Sequence, residues 1–462
     1  MLNIFIHHRD LRYNDNTTMI NQFKNEKNIT PIFIFDPIQI DSNINKYFSN
    51  GLVQFMIESL IEYDKLLKEK NGKLYYYYGS TIDVIEYINK HIGINSIGFN
   101  YEYSIFGKKR DEEIKKYCNL NNIKIYCKED ILLYDIIDGQ TLNPNNNKPY
   151  LVFTPYYKYL TTKLKVREIN KFTKYKFYKN DKLTKIKYSF NDLHSLYIKN
   201  EYLNVNGGRS KGLNILKKLK DYKDYKKMRD QLIYKTTYLS AYINLNVISI
   251  REVYYALLQV KNHDIIRELI FREYYHTIIY YFPYVSKLNF YEKFDKIIWE
   301  NDSKLFHAWC NGKTGYPIID AGIMQLLTTN YLHNRLRMLE ASFLIKNLKI
   351  DWRKGEQFFA QQLVDYNIYN NWGGWTNIAD CAPSSQSYFR VFSPEAHSRK
   401  YDKNCEYIKK WLPQLKDVPN EDIHSWERNY KKYLNNGIKY YLPIVDFKKS
   451  RDEFLKFYKK YI

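Results

Sequence analysis

Met1-Leu2-Asn3-Ile4-Phe5-Ile6 opens the chain on a short apolar, β-branched run. It is too brief for a secretory leader and reads as a β-strand. Four similar runs follow at 31–35, 73–78, 96–100 and 123–126. Helical stretches separate them. The clearest, 51–69, carries Val53, Met56, Ile57, Leu60 and Leu67 at helical spacing. Strands alternating with helices predict a Rossmann-like α/β domain over 1–130, with a five-stranded parallel sheet covered on both faces. No G-x-G-x-x-G follows the first strand, so a dinucleotide is not expected in the usual Rossmann place.

Beyond the sheet the texture changes twice. Residues 131–199 lack clear periodicity, and Asn143-Pro144-Asn145-Asn146-Asn147-Lys148-Pro149 is turn chemistry. Lys and Tyr then interleave from Tyr156 to Lys187, which reads as a long, solvated surface connection. From 200 to 462 helical patterns dominate, beginning with Gly207-Gly208-Arg209 before a basic amphipathic helix. This predicts a large all-helical domain.

Composition narrows the function. The 462 residues are 45% hydrophobic, which suits a globular chain of two domains. No apolar run reaches the length of a membrane span. Five cysteines form no C-x-x-C pair, which argues against a zinc site or a disulfide framework. The expectation is an intracellular, reducing compartment, cytoplasm or nucleus, and a monomer. A net charge of +22 points to a polyanionic partner, nucleic acid first, although wealth in Lys, Asn, Ile and Tyr also fits an AT-rich coding genome.

The stretch from His333 to Trp375 carries an inventory that a fold alone does not ask for. It begins His333-Asn334-Arg335-Leu336-Arg337-Met338 and passes Asp351-Trp352-Arg353-Lys354-Gly355-Glu356. It closes on Asp365-Tyr366-Asn367-Ile368-Tyr369-Asn370-Asn371-Trp372-Gly373-Gly374-Trp375. Arginines, an acid, asparagines and tryptophans in that density suit a flat, polar-edged redox ligand.

Around it lie His8-Arg9-Asp10-Leu11-Arg12-Tyr13-Asn14-Asp15-Asn16, Trp309-Cys310-Asn311-Gly312-Lys313-Thr314-Gly315-Tyr316-Pro317, Tyr388-Phe389-Arg390-Val391-Phe392-Ser393-Pro394 and Trp411-Leu412-Pro413. In this order and nearly end to end, these pieces resemble the photolyase/cryptochrome family. The closest likeness is to its cyclobutane pyrimidine dimer photolyases, in an atypical branch. The resemblance implies an α/β antenna domain, a linker and a helical domain holding FAD. It implies a carbon–carbon lyase reaction in which light drives an electron from reduced FAD into a pyrimidine dimer in ultraviolet-damaged DNA.

Residue by residue, the resemblance gives Tyr225, Thr236, Thr237, Leu239 and Ser240 the phosphates and ribitol, where hydroxyls and N–H groups near a helix start suit the task. Arg272, Arg337, Asp365 and Asn367 join the flavin set. Arg337 favours the negative charge of reduced flavin, and Asp365 orients it. Asn371 falls opposite flavin N5, where an amide can donate or accept and so leans toward repair. Trp375, Trp352 and Trp299 match a relay that carries a hole from the excited flavin to the surface. Glu268 would bond the lesion, Asn334 and Arg335 would line its pocket, and Met338 would pack on it. The (6-4) enzymes carry histidines at the positions of Asn334 and Met338, so that reading is disfavoured. Arg229, Phe271, Arg335, Arg390, Arg399 and Lys400 would contact DNA. Read without the resemblance, Arg337 and Asp365 would be a structural salt bridge, the tryptophans core aromatics, and Asn371 a turn residue.

Five positions depart from the family pattern. Phe271 and Asn377 stand where two dimer-clamping tryptophans are usual, with Trp372 as a candidate replacement. Asn367 replaces an aspartate near flavin N3 and O4. Phe106-Gly107 replaces the Asn-Glu pair that binds a folate antenna, leaving a deazaflavin, a flavin or no antenna open. The alternatives are a cryptochrome-like photoreceptor without repair and a DASH-type enzyme preferring single strands.

Overall fold

The computed structural model describes residues 1–383, 390–433 and 437–461. Five strands, β1 (Leu2–His7), β2 (Thr30–Phe35), β3 (Tyr75–Tyr78), β4 (Ile94–Asn100) and β5 (Lys124–Lys128), form one sheet in the order β3-β2-β1-β4-β5. Every pair is parallel, with Ile4 opposite Thr30 and Ile97, and Ile32 opposite Tyr75. β1 and β2 are buried along their whole length, as helices on both faces require. The five runs read from the sequence are the five strands, shifted at their ends by one or two residues.

Four of the helices around the sheet start where the sequence supplies caps. Asn16, Ser49, Ser80 and Ser104 each accept a backbone N–H at the head of α1 (Thr17–Asn25), α2 (Asn50–Lys68), α3 (Thr81–His91) and α4 (Ile105–Leu120). α5 (Phe153–Lys163) lies inside the stretch read as irregular. Its buried Phe153, Tyr156 and Leu160 lie on one face, and Pro155 sits in its first turn.

Two compact units emerge from the contacts. The first comprises 1–200, 205–223 and 237–283; the second comprises 201–204, 224–236 and 284–462. These boundaries differ from breaks at 130 and 199. The connection 131–199 and the helices α6 (Arg209–Lys217), α7 (Ile250–Gln259) and α8 (His263–Tyr281) cluster with the sheet.

Buried charge accounts for part of that clustering. The Asp10 carboxylate accepts from Asn16 Nδ2 at 2.8 Å and Asn100 Nδ2 at 2.6 Å. Arg251 on α7 bonds Asp130 at 2.7 Å and Asp15 at 2.8 Å, and Arg12 pairs with the same Asp130. Burial pushes the Asp130 carboxyl up, but Arg12 and Arg251 overcome it and hold it below the usual range. The His8–Asn16 motif is therefore architectural: it fastens the end of β1 to a helix more than 230 residues away.

The second unit is helical. Its principal elements here are α9 (Pro317–Thr329), α10 (Asn334–Ser342), α11 (Trp352–Gln362), α12 (Ile368–Ile378) and α13 (Pro394–Tyr401). α12 packs against both α10 and α11. Among the described residues, no helix is long and apolar enough to cross a membrane.

Candidate active site

In the second unit, α10 is capped by His333, whose Nδ1 accepts the Arg335 N–H at 3.1 Å. Burial lowers this imidazole to about 4, so it caps as the neutral ring. Leu336 and Leu339 turn into the core, while Asn334 is exposed and Arg335, Arg337 and Met338 are half-buried on the other side. Arg337 Nη2 bonds both oxygens of Asp365 at 3.0 Å, and its Nε bonds the Leu332 carbonyl at 2.8 Å. Its guanidinium lies 5.5 Å from the centre of the Tyr331 ring, whose hydroxyl is 3.5 Å from Thr236 Oγ1. Asp365 is only 7% exposed. The pair inferred from the sequence is formed, and the guanidinium is fixed on two sides.

Asn371 sits on the first turns of α12. Its Nδ2 donates to the Glu356 carbonyl at 2.9 Å and to Glu356 Oε1 at 2.8 Å. A group facing two acceptors must be the NH2, so the orientation of this amide is decided by its partner. Asn371 thus presents its carbonyl oxygen as an acceptor rather than an amide able to donate or accept. Burial raises the Glu356 carboxyl to about 7, opposed by bonds from Asn371 and Tyr366. Asn367 Oδ1 accepts from the Tyr369 and Asn370 N–H groups and caps α12. An aspartate would cap equally well, so the helix start does not depend on the missing charge.

The tryptophans are embedded. Trp375 and Trp352 are 3% exposed and Trp299 is 9% exposed. Trp352 Nε1 bonds Asn289 Oδ1 at 3.1 Å, and Trp299 lies 5.9 Å from the Phe457 ring. Trp375 meets Phe359 edge-on at 5.0 Å and Trp309 at 6.3 Å. Trp309, given no role from the sequence, is a further indole in contact with Trp375. Trp372 is 2% exposed. It is a core residue and offers no face to a base, which removes it as a substitute for the missing clamp. Asn377 is exposed.

The cations read from the sequence as DNA contacts differ in their surroundings. Arg335 is paired with Asp230 at 2.7 Å, lies over Tyr401 at 4.8 Å and touches Met338 Sδ at 3.8 Å. Arg399 bonds Glu395 at 3.0 Å and Glu421 at 2.6 Å. Arg390 and Lys400 are exposed, beside the Phe392 and Tyr401 rings. Arg229 lies 5.9 Å from the Tyr225 ring. Of the motif around them, Tyr388 and Phe389 lie outside the described residues.

The first unit carries the remaining set. Glu268, Phe271, Arg272 and Tyr275 share one face of α8. Phe271 packs on Phe153 at 4.2 Å and Tyr275 at 5.2 Å. Arg272 is buried, with Nη1 on the Ile131 carbonyl at 3.2 Å and Glu273 at 3.3 Å. Burial raises the Glu273 carboxyl to about 8 despite that arginine. Thr237 Oγ1 is 3.5 Å from the Leu239 N–H, and Ser240 begins a short helix, Ser240–Asn244.

The donor set suits a flavin. It offers a fixed guanidinium, an oriented carbonyl oxygen and, one residue earlier, a buried Asn370 Oδ1 without a hydrogen-bond partner. Comparison with known proteins agrees. Residues 3–174 match the DNA photolyase family model, and residues 265–460 match the FAD binding domain of DNA photolyase. A deoxyribodipyrimidine photo-lyase of Buchnera aphidicola subsp. Acyrthosiphon pisum (strain APS) is 33% identical over 482 residues, spanning 99% of this chain and 97% of the relative. An archaeal photolyase from Sulfolobus tokodaii, described with two FAD molecules, is 35% identical, covers 100% of both chains and superposes with a TM-score of 0.86. A Synechocystis sp. PCC6803 cryptochrome shares the fold, with 23% identity, 99% of both chains covered and a TM-score of 0.86. The chain belongs to the DNA photolyase family: it is an FAD-binding, light-driven DNA-repair enzyme.

Proposed function

We propose that this photolyase acts on cyclobutane pyrimidine dimers and that the α10–α12 face of its second unit holds the reacting flavin. The observation that carries this reading is the pair of clamps on neighbouring helices, Arg337 on Asp365 and Asn371 on Glu356. Bound FAD supplies light absorption and a reversible one-electron donor. The protein supplies charge and geometry. Arg337 offsets negative charge on the reduced ring, and Asp365 keeps the guanidinium in place. The Asn371 carbonyl oxygen accepts a hydrogen bond, and so favours a protonated partner at that edge. Glu268 would bond the lesion, and Phe271 would offer a stacking face once the dimer is flipped from the duplex. Asn334 and Met338 carry no titratable proton for the (6-4) reaction. Arg229, Arg390 and Lys400 would meet phosphates. Tyr225, Thr236, Thr237, Leu239 and Ser240 would hold the phosphates and ribitol of FAD, and Trp375, Trp352 and Trp299 would restore its reduced form.

The antenna reading follows from the sheet. Strand order reverses between β1 and β4, and a crevice beyond their carboxyl ends is where such sheets bind ligands. There Glu102 bonds Arg9 at 3.3 Å and Arg110 at 3.2 Å. Gly107 lies against it: a Cβ would fall 2.7 Å from that of Glu102. A glutamate at 107, as folate binding uses, would displace this network. A flavin-type antenna is favoured, in keeping with the second FAD of the Sulfolobus tokodaii relative.

The decisive assay incubates photoreduced protein with ultraviolet-damaged oligonucleotide under blue light. Loss of cyclobutane dimers in duplex and single-stranded substrates is expected. Loss of (6-4) products alone, or no repair, would sink the reading. Chromatography of chromophores released by denaturation identifies the antenna.

A further inference from the structure

The segment 163–187 holds nine lysines and Arg167 against only Glu168 and Asp181, a net +8 of the chain's +22. Its sequence reads as a solvated connection, but its backbone is fastened along the first unit. The Asn170 N–H bonds Asp15 at 2.8 Å, and the Tyr255 hydroxyl bonds the Val166 carbonyl at 3.0 Å. The Ile29 N–H bonds the Lys176 carbonyl at 3.1 Å, and Tyr178 returns a bond to Ile29 at 2.9 Å. The Asn180 N–H bonds the Tyr75 hydroxyl at 2.8 Å. Just past its end, Tyr188 and Phe190 pair with Tyr78 and Tyr76 on the free edge of β3.

The side chains sort by class. Phe172, Tyr175 and Phe177 turn inward and interlock with Phe23 and Tyr13, at ring separations of 4.9 to 6.1 Å. Lys171, Lys174, Lys176 and Lys179 between them are exposed, as are Lys182 and Lys185. Lys174 and Lys176 lie two extended residues apart, about 7 Å along the strap. Among the described residues, no carboxylate pairs with a lysine of this strap. Elsewhere Lys68, Lys124, Lys349 and Lys432 do lie against carboxylates. A solvated linker needs neither an aromatic anchor nor a continuous hydrogen-bonded seat. Unneutralised like charges on a fixed backbone repel one another, and a polyanion relieves that repulsion.

We infer that the strap 163–187 is a second nucleic-acid contact, which holds the phosphate backbone of undamaged duplex DNA without reading sequence or damage. It goes beyond the lesion site, resting on the family's DNA substrate only for the choice of polyanion. Its role is to keep the enzyme on DNA between lesions.

The test uses the full holoprotein carrying Lys171→Gln, Lys174→Gln, Lys176→Gln and Lys179→Gln, with an undamaged fluorescent duplex as probe across a salt titration. Each phosphate contact contributes about 0.9 to the slope of log affinity against log salt, so the slope should fall by about 3 to 4. The two half-variants, at 171 and 174 or at 176 and 179, should each give about half of that. Dimer repair at saturating substrate should be unchanged. A control neutralises four exposed lysines of the same unit that also lie against no carboxylate among the described residues, Lys65, Lys70, Lys90 and Lys116. An unaltered slope in the strap variant, or an equal loss in the control, would overturn the inference. If the parent protein repaired no dimers, the function reading would fail while this comparison of slopes stood.

Discussion

Asn371 gives both amide hydrogens to one residue, Glu356, using its backbone carbonyl at 2.9 Å and its side-chain Oε1 at 2.8 Å. The carboxyl is raised to about 7, chiefly by burial. In the unfolded chain it would ionise near 4.3. The folded state therefore binds this proton more tightly. The stability it contributes is complete below about pH 4 and is lost as pH rises through about 7, a change of about 4 kcal/mol. Glu356→Gln keeps an oxygen for Asn371 and removes the titration. Thermal unfolding across this range should show the parent losing more stability with rising pH than the variant, which keeps the titration of other buried acids such as Glu273. Parallel curves would show that Glu356 does not titrate in this way.

The Arg337–Asp365 pair makes a different prediction. Removing one partner of a buried pair is costly because the other charge is stranded. Asp365 is buried, while the Arg337 side chain is about a quarter exposed. Arg337→Met should therefore cost about 2 kcal/mol, below the full range for buried pairs. It should also release flavin, measured as visible absorbance per protein. Asp365→Asn, still able to accept from Nη2, should lose less of both. A fully loaded, equally stable Arg337→Met protein would separate this pair from the cofactor.

Much of this was legible in the sequence. The strands announce themselves as apolar runs, and Arg337, Asp365 and Asn371 are found because their motifs keep a fixed order. Glu356 stood in a quoted motif, yet nothing local distinguishes it from a solvated glutamate. Its role arises only when α11 packs on α12. The Asp230 partner of Arg335 is hidden for the same reason. Trp372 misled because burial is set by helix rotation, which a Gly-flanked tryptophan does not reveal. The strap concealed its anchoring because tyrosine and lysine alternate there without helical or strict strand periodicity.

Gly355 is the seat of Trp375. A Cβ at 355 would lie 2.2 Å from Trp375 Cη2 and 2.5 Å from Leu344 Cδ2. Gly355→Ala should cost about 1–3 kcal/mol through overpacking and displace the indole. Light-driven reduction of bound FAD should slow, while chemically reduced protein still repairs. Trp375→Phe should give the same kinetic split, at a cost of about 1–2 kcal/mol for the cavity it leaves. Normal photoreduction in both variants would take Trp375 out of the relay.

Arg399 lies between two carboxylates, whereas Arg390 and Lys400 face solvent beside aromatic rings. A cation already neutralised by glutamates releases few counterions on meeting a phosphate. Neutralising Arg399 alone would leave Glu421 without its arginine, while Glu395 keeps Arg428, and would confuse the reading. The informative variant is Arg399→Gln with Glu421→Gln, which leaves the net charge unchanged. Its salt dependence for damaged duplex should match the parent. Arg390→Gln and Lys400→Gln should each lower the slope by about 0.9, the value of one phosphate contact. A lowered slope in the paired variant would mean that Arg399 leaves its glutamates for DNA. Binding would then include breaking a surface network that also holds Arg428 on Glu395 at 2.8 Å.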